Sequence, residues 1–179
     1  MSPQSLRTIR GLNPVRLRRL EFFREFSTQE LRRLLLVGTP RILRDGELLA
    51  TEGTRKQRRV LYVVLQGELG YVKRIRGERV NTLLTLKAGD VGGFLTFFND
   101  DPSPVSVQSL GRTRVFEIGR REFQTLLEDW PPLAVKVLLV LLRDTVARLD
   151  GLLGRVAATG AWALDLEHHL RALPLVPEG

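Results

Sequence analysis

Cysteine is absent from the 179 residues, which rules out disulfide staples, thiolate metal sites, iron–sulfur clusters and thiol redox sensing. Histidine is nearly absent: His168 and His169 stand side by side next to Glu167, and neighbours at i and i+1 do not share a helix face. No metal site is expected there, and no histidine-based zinc or haem sensor elsewhere. Long apolar runs are missing too. The longest aliphatic stretch, Val137 to Leu142, is flanked by Lys136 and Arg143 and falls far short of the roughly 20 residues that cross a bilayer. The N-terminal residues carry Arg7 and Arg10 rather than the apolar centre of a signal peptide. A soluble cytoplasmic protein without membrane association is expected. Catalytic patterns are lacking as well. Gly151, Gly154 and Gly160 are not followed by a Lys-Ser/Thr pair, and no Ser–His–Asp set can be assembled. The chain is read as a non-enzyme with no cofactor.

What is present begins with positive charge. The formal net charge is +8 and the isoelectric point is near 10.9. Residues 1–33 hold eight arginines against three glutamates, and smaller basic clusters follow at Arg55, Lys56, Arg58, Arg59 and at Lys73, Arg74, Arg76, Arg79. Clustered arginine suits a polyanion. Aromatic residues are not interleaved with it, however: Phe22, Phe23 and Phe26 have core spacing, and only Tyr71 lies near the later clusters. A solvated basic face is the favoured reading, with weak nonspecific nucleic-acid binding as an alternative.

At 43% hydrophobic residues the chain can bury a core. Leu12, Val15, Leu17, Leu20 and Phe23 predict a short helix, and Ser27 with Glu30 forms a capping box that opens a second helix, which Pro40 ends. The hydrophobic period then drops to two. Seven short strands are predicted around 41–43, 48–51, 60–65, 69–75, 80–86, 105–110 and 114–118, separated by Gly-containing turns. The fold class is therefore mainly β with flanking helices, an antiparallel roll of jelly-roll type followed by a long helix. The predicted divisions are an Arg-rich helical segment at 1–38, a sensor-like roll at 39–119, a short and a long helix at 120–158, and a short terminal helix with tail at 159–179. The long helix repeats at seven. Val135, Leu142, Leu149 and Val156 occupy one position, and Leu138, Thr145, Leu152 and Thr159 the position three residues later. That pattern predicts a homodimer seam, with Leu139, Val146 and Leu153 turned toward the chain's own barrel. Gly151 and Gly154 each cost a helix about 1 kcal/mol relative to Ala, which predicts loosening there.

Several strings resemble a known family. Phe26-Ser27-x-x-Glu30-Leu31-x-x-Leu34-Leu35, then Leu61 through Leu69 (LYVVLQGEL), then Leu86-x-x-Gly89-Asp90 are together similar to the cyclic-nucleotide-binding domain of the catabolite activator and fumarate–nitrate regulator superfamily. The resemblance spans about residues 20–158. It implies that Gly67 and Gly89 make tight positive-φ turns and that the long helix forms the dimer interface and one pocket wall.

The family's nucleotide-site pattern, G-D-x-x-G-E-[LI]-A-L and then P-R-A-A-T-V, aligns without a gap from Gly89 to Val107. Gly93, Leu95, Pro102 and Val107 match, Thr96 and Val105 fall inside the frame, and Ser106 replaces one small residue with another. The Glu that binds the ribose is Phe94 here, and the Arg that pairs with the cyclic phosphate is Ser103. The positions that some members use toward the base are Leu152 and Leu153. An anion in a closed pocket needs a charge-assisted partner, which Ser103 does not provide. The resemblance thus implies a degenerate pocket that refuses cyclic AMP and cyclic GMP, filled by Phe94, Leu95, Phe97 and Phe98 or switched to another small, apolar or aromatic ligand. About two dozen residues follow Val156, too few for the family's helix-turn-helix. Sequence-specific DNA binding by this chain is not expected. A dimeric regulatory module is, with an unidentified ligand or protein partner.

Overall fold

The computed structural model describes residues 11–54, 59–74, 80–99 and 101–172. Arg7, Arg10, Arg55, Lys56, Arg58, Arg76, Arg79, Asp100, Pro174 and Pro177 fall outside the described residues, as do the side chains of Glu167, His168 and His169. Helix α1, Pro14–Leu17, starts where Asn13 accepts a hydrogen bond from the Val15 N–H at 2.9 Å, with proline in its first turn where no donor is needed. It buries Leu17, while Val15 is exposed. A 3-10 turn at Glu21–Phe23 places Phe22, Phe23 and Phe26 in the core, and the Phe22 N–H donates to the Gly89 carbonyl at 3.2 Å. Helix α2, Thr28–Val37, has the expected capping box: the Ser27 N–H donates to Glu30 at 2.6 Å and the Glu30 N–H to the Ser27 hydroxyl at 3.2 Å. Leu31, Leu34 and Leu35 form its buried stripe.

Among the described residues eight strands follow: β1 Thr39–Leu43, β2 Leu48–Ala50, β3 Val60–Gln66, β4 Leu69–Arg74, β5 Val80–Leu86, β6 Val91–Gly92, β7 Ser106–Ser109 and β8 Thr113–Gly119. They form two antiparallel sheets, in the orders β1-β8-β3-β6 and β2-β7-β4-β5. Pro40 lies inside β1, which an edge strand tolerates because its outer N–H groups need no partner. The two-residue β6 was not predicted, since a period cannot register over so short a segment. Gly67 (φ 82°) and Gly89 (φ 100°) make the positive-φ turns that the resemblance implied. Between the sheets Leu43, Tyr62, Val64, Leu69, Tyr71, Leu86, Val105, Val107 and Val115 pack into one cluster.

Helix α3, Phe94–Phe98, follows β6, and α4, Arg120–Asp129, follows β8. Helix α5 runs unbroken from Pro131 to Ala172, so the separate terminal helix expected from 159 is a continuation of the long one. About 1 kcal/mol per glycine is too little to interrupt a helix with many turns on either side. The chain divides into two compact units at Leu138/Leu139, within α5. In the first unit the helical segments and the roll share one core. The Phe23 and Phe116 rings meet at 6.0 Å, and a Cβ on Gly38 would lie 2.1 Å from the Phe116 ring.

The start of α5 is tied to α2 through Lys136, whose ammonium donates to both Glu30 oxygens at 3.0 and 3.1 Å and lies 5.5 Å from the Phe26 ring centre. Burial acts to raise the Glu30 pKa, but the Ser27 N–H and Lys136 outweigh it and hold the carboxyl below its ordinary value of 4.5. A carboxylate lowered by folding adds stability above its unfolded pKa and loses it as pH falls through the folded one. Glu30→Gln is expected to cost about 1 kcal/mol near neutral pH and to flatten the loss of stability on acidification. Urea midpoints measured between about pH 6 and about pH 3 check both; an unchanged acid slope in the variant would refute the assignment.

Candidate functional site

The site frame is set by Gly93, which joins β6 to α3 at φ 88°. A side chain there meets two obstacles: the left-handed backbone, and the Val60 carbonyl oxygen only 2.1 Å from where a Cβ would lie. The Gly93 carbonyl accepts from the N–H groups of Thr96 and Phe97 at 3.2 and 3.0 Å and from the Thr96 hydroxyl at 3.3 Å. Arg120, first residue of α4, closes the other end by donating twice to the Phe97 carbonyl, through Nε at 2.8 Å and through a second guanidinium nitrogen. Thus α3 is held at both ends.

Beside this helix a small cleft opens into the space between the sheets. Of the residues expected at the pocket, Gly93, Leu95, Thr96, Ser103 and Val105 line it. The others do not. Phe94 is half-buried away from the lining, and Ser106 accepts the Glu52 N–H at 3.0 Å instead. Leu152 and Leu153 belong to the second unit, where both are exposed. Nor do Phe97 and Phe98 fill the cleft: Phe97 is buried against Phe123 of α4 at 5.6 Å, and Phe98 is exposed. The period of α3 explains this, since a five-residue helix turned by Gly93 directs Leu95 and Thr96 to the cleft and Phe97 to α4.

Ser103 is 4% exposed, and its hydroxyl donates to the Val105 carbonyl at 2.6 Å. Its own N–H donates to Thr54 and its carbonyl accepts from Gly53. The volume open to the centre of a water molecule is about 20 Å³, where one water needs roughly 10–15 Å³ on that measure.

Among the lining residues not expected at the pocket, Arg41, Tyr62, Tyr71 and Glu117 carry polar groups. Arg41 from β1 and Glu117 from β8 face inward, the guanidinium reaching Glu117 at 3.1 Å and Glu47 at 2.7 Å. Burial acts against the Arg41 cation, but hydrogen bonds and charge from Glu47 and Glu117 outweigh it and raise its pKa further. Hydrogen bonds from the Arg44 N–H and Arg41 lower the pKa of Glu47 in turn. Tyr62 from β3 and Tyr71 from β4 join across the cleft, hydroxyl to hydroxyl, at 3.2 Å, and the Gly93 N–H donates to Tyr71 at 3.3 Å. The alternation of β8 held the available signal, because Glu117 shares a face with Val115. Phe116 and Ile118 on the opposite face are equally apolar, so the sequence did not say which side was inside.

On the second unit's helix the exposed apolar residues Leu139, Leu142, Val146, Leu149, Leu153 and Val156 alternate at spacings of three and four, and Val135 precedes them in the same phase. Leu139, Val146 and Leu153, expected to be covered, are therefore exposed. Leu138 and Thr145 are half-buried, the Thr145 hydroxyl donating to the Leu141 carbonyl at 2.8 Å, whereas Thr159 donates to Arg155 at 2.9 Å. Among the described residues no helix is long and apolar enough to cross a membrane, and no group of three or more His, Asp or Glu could hold a metal.

The sequence model of the cyclic nucleotide-binding domain matches residues 40–129. Among solved structures, a cyclic nucleotide-binding domain from Methylobacillus flagellatus is 24% identical, with a TM-score of 0.70 over 87% of this chain and 84% of that one. The N-terminal domain of a transcriptional regulator from Streptomyces coelicolor is 23% identical, with a TM-score of 0.62 over 76% of this chain and 94% of that one. The Thermus thermophilus catabolite activator protein is 20% identical, with a TM-score of 0.61 over 76% of this chain and 63% of that one. At these identities the likeness is one of fold. No curated protein matches in sequence.

Gly93→Ala is expected to lower stability by more than about 2 kcal/mol, combining left-handed strain with a backbone clash. Gly111→Ala, at φ 94° with nothing within 4 Å of the new Cβ, carries only the strain. Denaturant midpoints of the two variants check the difference, and equal losses would show that the Val60 contact does not matter.

Proposed function

The chain belongs to the cyclic nucleotide-binding domain family, a class of non-enzymatic regulatory modules, and on that premise we propose a dimeric regulator whose roll does not accept cyclic AMP or cyclic GMP in the family's way. The observation that carries this reading is Ser103. At the position where the family pattern has the phosphate-pairing arginine, a buried hydroxyl is spent on the Val105 carbonyl. The cation that does line the cleft, Arg41, is already shared by two carboxylates. A phosphate entering there would have to displace Glu117 or Glu47 and lose its hydration. Missing one partner of a desolvated charge pair costs about 2–5 kcal/mol, and each 1.4 kcal/mol or so is tenfold in affinity. Two orders of magnitude are thereby lost before any steric term.

Calorimetric titration of the whole chain with cyclic AMP and cyclic GMP is expected to give no saturable heat at micromolar concentration, and millimolar nucleotide no rise in Tm. A micromolar Kd for either would return the protein to ordinary nucleotide sensing.

Pairing through α5 is supported by its exposed stripe, which is spaced as in a coiled-coil seam. Burying each leucine is worth roughly 1.5–3 kcal/mol, repeated on both copies. Analytical ultracentrifugation is expected to find a dimer at tens of micromolar and a monomer for Leu142→Asp combined with Leu149→Asp. A monomeric wild type would sink the pairing. The related structures include transcriptional regulators, so a role in transcriptional control or signalling is the setting we favour.

A further inference from the structure

At its first residues strand β8 borders an open cleft of about 290 Å³, lined by Ile42, Gln66, Arg112, Thr113 and Arg114. The sheet register assembles it. Ile42 of β1 and Gln66 of β3 stand opposite Arg114 on its two sides, and Gln66 takes that place because a bulge between Val64 and Gln66 passes over Leu65. Thr113 turns its hydroxyl to the Glu68 carbonyl at 2.8 Å, which leaves the two arginines as the charged groups of the lining. Arg112 is exposed. Arg114 is half-buried, one guanidinium nitrogen lying 3.6 Å from where a Cβ on Gly11 would stand. Elsewhere in the chain arginines are matched to carboxylates: Arg24 to Glu21, Arg41 to Glu47 and Glu117, Arg148 to Asp144. Here no carboxylate lines the cleft, and among the described residues neither Arg112 nor Arg114 has an acidic partner. Asp45, on the neighbouring turn, accepts the Gly111 N–H at 2.7 Å, and Glu68 lies off the lining. A half-buried guanidinium has given up part of its hydration, and an anion bound to it restores what was lost.

We propose that this cleft binds the phosphate group of a small phosphorylated molecule, held between the Arg112 and Arg114 guanidinium groups, with the Gln66 amide as a further donor. Two guanidinium forks match a dianion, which a phosphate monoester is near neutral pH, whereas a carboxylate is satisfied by one fork. Ile42, 56% exposed, offers an apolar surface to the rest of the molecule. The cleft shares no lining residue with the one beside α3, so the proposal stands apart from the cyclic-nucleotide reading.

The test is thermal unfolding of the whole chain in sodium phosphate near neutral pH, against sodium acetate and sodium chloride of equal ionic strength. A saturable rise in Tm is expected in phosphate and not in acetate or chloride. Arg112→Gln and Arg114→Gln are each expected to weaken the apparent affinity about tenfold. Arg32→Gln, which removes the same charge from an exposed position on α2, is expected to leave it unchanged. Should Arg114→Gln not fold, Arg112→Gln decides. The absence of a saturable rise in phosphate overturns the proposal, and so does an equal rise in acetate. Undiminished affinity in Arg112→Gln, or an equal loss in Arg32→Gln, overturns it too. A duplex DNA oligonucleotide is the other source of phosphate: binding to it that needs both arginines, with no response to inorganic phosphate, overturns the assignment to a small molecule.

Discussion

Strand β8 is covered on both faces, and the rest of the first unit is arranged around that constraint. Its outer side carries Phe116, which fills the space left by the missing side chain of Gly38 and meets Phe23. Its inner side carries Val115, packed with Leu43, Tyr62 and Val64. Because β8 hydrogen-bonds to β1 and β3 at once, neither sheet nor helical layer can shift without breaking one of these contacts. This is why the helical segment before the roll, α4 and the start of α5 belong to the same unit as the strands. The apolar area that β8 offers on one face is too small to order the roll alone.

Putting an acidic residue on the inner face of such a strand has a cost that must be met locally. Glu117 ionised inside the roll is tolerable only with a partner, and Arg41 on the neighbouring edge strand reaches it across the β1/β8 register, in which Arg41 lies opposite Val115. Arg41 in turn extends to Glu47 at the surface, so the charge is conducted outward in steps instead of being buried singly. A pair of this kind contributes little net stability compared with apolar side chains of the same size. Its clearer consequence is at the cleft, where it engages the guanidinium on the wall in an ion pair.

The sequence was informative wherever a local signal was enough. The capping box at Ser27 and Glu30, the period-two strands, the positive-φ glycines at 67 and 89, and the family strings around Leu61–Leu69 all depend on residues close together in the chain. Signals spread over distant residues were illegible. Arg41 and Glu117 are 76 positions apart, and nothing local distinguishes their pairing from ordinary surface charge. Likewise, the ungapped alignment from Gly89 to Val107 located α3 and Ser103 but not the directions of the phenylalanines. Those follow from the turn at Gly93 and from Phe123 and Arg120 on α4, which lie outside the aligned string. The departures from the family's ligand-binding residues could be read from residue types; the cleft's actual lining could not.

Helix α5 shows how far a local cost can be overridden by its surroundings. Three glycines, Gly151, Gly154 and Gly160, lie from its midpoint onward with nothing within 4 Å of any added Cβ, so no contact within the chain requires them. Together they disfavour the helix by about 3 kcal/mol relative to alanine, and an isolated helix is only marginally stable in water. The turns on either side carry the 42-residue helix through them, and a partner along its length would add to that. Its apolar residues from Val135 to Val156 repeat at an average of about 3.5 positions, whereas a straight α-helix turns every 3.6. Such a stripe drifts around a straight helix by about 20° per heptad and stays aligned only against a partner that coils with the same period. A flat sheet or a short helix would match it over one or two turns; a second long helix matches it throughout. On these grounds the continuity of α5 and the proposed pairing are one question, because the surface that pairing would bury would also offset the glycines.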